Sequence, residues 1–177
     1  MILMIKAVFS PKARAMGATI VFSLAGICGL VFFMEDIYAS LPLAIFYATI
    51  TVNTFFSIKL FSNLIPTGNI SQKVIDAVLF VSYLALAFSF NSPIIFASIV
   101  TLLFIAATLK YALLLKIINH PKLLKRKIAI DSLGVVMGAL SMLAIAMGYT
   151  AVGVWFLAIV FLAANIFLLF IRPMYRV

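Results

Sequence analysis

The sequence predicts an all-α fold: a transmembrane bundle of six helices in a single membrane domain spanning residues 1–177. Three observations carry that expectation. The chain has 177 residues, of which 67% are apolar and 10% charged, whereas an ordinary soluble domain is about 45–50% apolar and about 25% charged. The apolar residues fall into six runs of about 20 residues, the length that crosses a hydrocarbon core of roughly 30 Å. Basic residues gather at alternate connections between those runs.

The runs follow one another with short links. Lys6, Lys12 and Arg14 precede the first, at 15–34. No small-x-small cleavage motif follows it, so it reads as a retained span rather than a cleaved signal. Glu35 and Asp36 open the link to the second run, at 40–61. Pro66-Thr67-Gly68-Asn69 marks the next turn, since Pro and Gly interrupt helices. The third run, 73–90, meets the fourth, 93–116, through Asn91-Ser92-Pro93. His120-Pro121 opens what reads as a basic loop holding Lys122, Lys125, Arg126 and Lys127. The fifth run, 128–148, turns at Gly148-Tyr149-Thr150 into the sixth, 151–171, which Arg172 and Arg176 follow. The runs lack two-residue alternation, which argues against a β-barrel.

Orientation follows from charge. The first, third and fifth links hold no Lys or Arg, and the first carries two acids. Basic residues mark the cytoplasmic side of membrane proteins, so both termini are expected in the cytoplasm and the chain in the inner membrane. Lys110 lies near the inner end of its span, where a long side chain reaches the interface. Tyr38, Tyr149, Trp155 and Tyr175 fall near span ends, which amphipathic rings prefer. The net charge of +9 reads as topology rather than nucleic-acid binding. The Lys122–Lys127 cluster also suits anionic lipid head groups.

The runs pair into three similar hairpins, at 15–61, 73–116 and 128–171. Val74-Ile75-Asp76 corresponds to Ala129-Ile130-Asp131, and Phe104–Leu109 to Phe161–Ile166. Ile50–Thr54 takes the matching place in the first hairpin. Two spans per unit give the copies one shared orientation, unlike the inverted repeats of many transporters. Small residues allow close helix approach in lipid. Ala25 with Gly29, Gly134 with Gly138 and Ala139, Ala144 with Gly148, and the Ala106-Ala107 and Ala163-Ala164 pairs are therefore expected to seat contacts within one subunit, with a dimer face as the alternative.

Ionisable groups inside spans are costly and often functional. Asp76 and Asp131 are expected at helix starts, where a carboxylate favours the dipole. Lys73 and Lys127 stand close enough in sequence to pair with them. The functional alternative is a proton- or cation-responsive site at the inner mouth of the bundle. Asn53, Thr108 and Asn165 fall at similar depth in the even spans. They are expected to form interhelical hydrogen bonds, or else to line a ligand path. Glu35 and Asp36 read as solvated loop acids, and His120 carries no assigned role.

The inventory excludes much chemistry. One Cys, Cys28, one His and four acids supply no metal-ligand spacing. No nucleophile–base set or phosphate loop is present in the sequence. Neither enzymatic activity nor a cofactor is expected.

Six spans in three hairpin units, hairpin openings at Asp76 and Asp131, Pro42 and Pro93 in outer turns, and the Ala/Gly stripes resemble the HdeD-type acid-resistance membrane proteins over residues 15–172. The third outer turn departs from that pattern because it lacks proline, and the first hairpin matches the others poorly. The resemblance implies a non-enzymatic inner-membrane protein linked to acid or envelope stress. The alternative is a small-solute or ion carrier, or a membrane-embedded subunit of a larger transporter or complex. Membrane lipids are the expected partners, with a homo-oligomer or larger membrane complex as a further expectation.

Overall fold

The structure, a computed structural model, describes residues 10–64 and 70–174. Lys6, Pro66-Thr67-Gly68-Asn69, Tyr175 and Arg176 lie outside the described residues. Six helices run in chain order: α1 Pro11–Phe33, α2 Ile37–Phe61, α3 Ile70–Ala87, α4 Pro93–Leu114, α5 Pro121–Ala146 and α6 Thr150–Ile166. A π-helical turn, Phe167–Ile171, extends α6. The described residues contain no strand. All six helices, α6 together with its π turn, are long and apolar enough to cross a membrane.

Local chemistry sets the helix starts. Ser10 caps α1 by accepting a hydrogen bond from the Ala13 N–H at 3.1 Å, with Pro11 in the first turn. Asp36 caps α2 through the Tyr38 N–H at 2.9 Å. Such oxygens satisfy N–H groups that have no partner in the first turn. Pro93 and Pro121 occupy the first turns of α4 and α5, where a missing N–H costs nothing and the fixed φ suits the helix.

That start at Pro121 corrects one expectation. The stretch Lys122–Lys127 is not a loop but the first two turns of α5. Asp131 therefore stands ten residues inside its helix, beyond the reach of a helix-end role. Long basic side chains form helix readily, so their polarity marks an interface and not a break. Pro42 is likewise inside α2 rather than in an outer turn.

The helices form a ring in the order α1, α2, α6, α5, α4, α3, closing back on α1. The starts of α1, α3 and α5 share one end with the finishes of α2, α4 and α6. This is the basic end. The α4–α5 contact is the most extensive, and glycine explains why. A Cβ on Gly138 would sit 2.7 Å from Thr101 Oγ1, and one on Gly134 would sit 2.6 Å from the Phe104 ring. Gly29 lets α1 meet the end of α3, where a Cβ would come within 1.9 Å of the Ala87 carbonyl oxygen. Gly26 clears space for the Tyr47 ring, whose hydroxyl donates to the Phe22 carbonyl at 2.9 Å. These glycines seat contacts within the chain. Gly148 does not join them: no atom lies within 4 Å of its would-be Cβ, and its φ of +89° turns α5 into α6, a conformation that favours glycine.

At the end remote from the lysines, aromatic rings close the centre. Phe46 packs against Phe96 at 5.7 Å and against Phe161 at 4.7 Å between centroids. Phe90 stacks on Phe96 at 5.8 Å, and Tyr47 meets Phe90 at 5.7 Å. Phe46, Phe90 and Phe96 are buried. Ser141 donates to the Gly153 carbonyl at 2.8 Å, tying α5 to α6.

Candidate functional site

Towards the basic end the ring does not fill. A cavity of about 510 Å³ opens among α1 to α5, within the usual range of ligand sites, about 300–1,000 Å³. Its mouth is formed near helix ends by Arg14, Phe61, Ser62, Gln72 and Lys73. Its deeper wall comes from mid-helix residues Phe22, Ile50, Leu103 and Phe104. Four basic side chains, Arg14, Lys73, Lys110 and Lys127, line it against two acids, Asp76 and Asp131.

Two ion pairs line this space. Lys127 Nζ lies 2.6 Å from Asp131 Oδ1, with side chains only 6% and 1% exposed. The pair spans one turn of α5, the spacing at which helix side chains meet. Lys110 Nζ lies 2.6 Å from Asp76 Oδ1 and joins α4 to α3. Asp76 is 53% exposed, so the protein encloses this second pair far less. Lys110, expected to reach the interface, is bonded to Asp76 on the neighbouring helix near the same end of the bundle. The Tyr111 ring lies near both cations, with Lys110 5.9 Å and Lys127 5.3 Å from its centroid.

Neutral groups extend the polar wall. The Tyr111 hydroxyl is 2.8 Å from Ser57 Oγ, and Thr54 is hydrogen-bonded to Tyr83. Gln72 is 4% exposed, and neither its amide nitrogen nor its amide oxygen has a hydrogen-bond partner. Asp131 Oδ2 is also buried without one. Buried polar groups are normally satisfied, so these atoms mark where the site is incomplete.

Of the residues singled out in the sequence, Asn53, Asp76 and Asp131 line the cavity. Thr108 and Asn165 do not. The expected interhelical bonds are corrected as well: Thr108 Oγ1 donates to the Phe104 carbonyl and Asn165 Nδ2 to the Phe161 carbonyl, each one turn back on its own helix. Both side chains reach the preceding turn more easily than a neighbouring helix. Asn165 Oδ1 is left buried without a partner, and α6 contributes no side chain to the cavity.

Gln72, Tyr83, Tyr111, Thr54 and Ser57 were not singled out in the sequence. A signal was present. Gln72, Asp76 and Tyr83 recur at helical spacing on α3, and so do Asn53 and Ser57 on α2. These are polar positions on a single face of an apolar helix.

Fold and site together define a class: an all-helical protein with six membrane-length helices and a half-open cavity that is charged at its mouth and apolar deeper in. Comparison of the chain with protein-family models, curated proteins and solved structures finds no match.

Proposed function

We propose that this chain is a non-enzymatic small-solute carrier of the inner membrane, acting alone or as the membrane-embedded subunit of a larger transporter. The observation that carries this reading is the half-open cavity of about 510 Å³ with the unpartnered Gln72 amide in its wall. Ionisable residues within spans are retained where they serve a path or a site, and Asp76, Lys110, Lys127 and Asp131 all line this cavity. The aromatic seal at the far end supports one-sided access, as alternation between two open states requires.

The orientation belongs to the same reading. Lys12, Lys59, Lys73, Lys116, Lys122, Lys125, Arg126 and Arg172 all fall at the basic end. By the positive-inside rule that end is cytoplasmic, and the cavity opens inward. The three hairpin units rest on the sequence correspondences alone, because the contact between α4 and α5, which belong to different hairpins, is the most extensive in the ring. Asp76 and Asp131 act as partners of lysines rather than as an acid–base pair. The stress-related role implied by the HdeD-type resemblance rests on architecture alone, and the cavity is the more specific observation.

The test is an experimental structure of the protein purified in native lipid. A bound molecule touching Asn53, Gln72 or Lys127 is the expected result. A centre filled by collapsed side chains, with lipid only outside, would overturn the carrier reading.

A further inference from the structure

We infer that the cavity takes a small amphipathic anion, with a carboxylate or phosphate head at the mouth and an apolar body directed at mid-membrane. The inference rests on the cavity being a binding site and names what that site selects.

Charge is the first argument. Both acids in the wall are held by lysines at 2.6 Å, while Arg14 and Lys73 add positive charge at the mouth. The field inside such a cleft is positive, and low-dielectric walls concentrate it. With four basic side chains against two acids the wall carries a net positive charge, which favours an anion over a cation. Polarity is the second argument. The Gln72 amide, buried and unpartnered, stands two residues inside α3 at the mouth. The amide is enclosed as it stands, and a turn of its side chain into the cavity presents its N–H groups to a carboxylate or phosphate oxygen. The third argument is the gradient. Beyond the lysines the wall becomes Phe22, Ile50, Leu103 and Phe104, which favours burial of an apolar body. Two sources share this chemistry: a short aromatic or aliphatic acid from solution, and a single-chain acid released from lipid.

The test uses the full-length protein in oriented membrane vesicles. Cys28, the free and exposed thiol, is replaced by Ser, and Ser57→Cys places one thiol in the wall. Ala107→Cys, a second cavity-lining position, serves if the first variant is unstable. A negatively charged and a positively charged methanethiosulfonate are compared, each rate divided by that of the same reagent with a free thiol. The anionic reagent is expected to be favoured by about tenfold, within the range that focusing fields produce. Phenylacetate or phenyl phosphate is expected to slow the reaction where benzylamine does not, and Lys73→Gln is expected to reduce the preference. Protection by oleate but not by phenylacetate would assign the lipid source, and the reverse the soluble one. A preference for the cationic reagent, or protection by benzylamine equal to that given by the better of the acids, would overturn the inference while leaving the cavity a binding site. A thiol at both positions that reacts with neither reagent from either side would overturn the carrier reading itself.

Discussion

Lys127 and Asp131 show how a pair of charges becomes tolerable in an apolar helix. Each ion alone would cost several kcal/mol to bury, and their contact offsets most of that cost. Removing one partner strands the other. Asp131→Asn is therefore expected to destabilise the protein by about 3 kcal/mol, while Lys127→Gln combined with Asp131→Asn recovers more than half of the loss. Asp76→Asn, at a half-exposed pair, is expected to cost less than about 1 kcal/mol. Thermal unfolding in one detergent compares the three, and equal losses for Asp76→Asn and Asp131→Asn would refute the distinction. The two pairs also differ in legibility. Lys127 and Asp131 stand four apart, so helical spacing announces their contact. Lys110 and Asp76 are separated by 34 positions, and only the packing of α4 on α3 brings them together. The same holds for the Ser57–Tyr111 contact. A sequence reveals neighbours along a helix and is silent about neighbours across the bundle.

At the scale of the element, apolar length was legible throughout and helix starts were legible except at α5. Hydropathy located all six helices, because lipid demands about 20 apolar residues in a row. It misplaced the start of α5 because the lysines there are helical yet polar. Glycine carries the second lesson. The small-residue stripes indicated close contacts, but only the packing separates a glycine that is needed from one that is not. Gly29 faces the Ala87 carbonyl oxygen at 1.9 Å from a would-be Cβ, while Gly17 has nothing within 4 Å. Gly29→Ala must push α1 away from α3 and is expected to cost about 2 kcal/mol, the scale of overpacking. Gly17→Ala is expected to stabilise by about 0.5–1 kcal/mol, since alanine loses less backbone freedom in a helix. Unfolding midpoints of the two variants check this, and a loss at Gly17 equal to that at Gly29 would contradict it.

At the scale of the whole molecule, the ring order and the two unlike ends matter most. No spacing in the sequence shows that α2 meets α6, so that Asn165 misses the cavity that Asn53 lines. Charge asymmetry, by contrast, was legible throughout, and it fixes a directional expectation. A cysteine at Ser92, in the α3–α4 link, should react with an impermeant thiol reagent in intact cells, in a Cys28→Ser background. A cysteine at Ser57 should react only in inverted vesicles, because Phe46, Phe90 and Phe96 separate it from the other face. If those rings are the seal, Phe96→Ala should let the reagent reach Ser57→Cys from outside, while the Ser92→Cys signal stays unchanged. Reaction of Ser57→Cys from outside without that substitution would place the opening on the wrong side. No gain on Phe96→Ala would mean that the barrier lies elsewhere in the bundle, and that alternation does not run through this aromatic cluster.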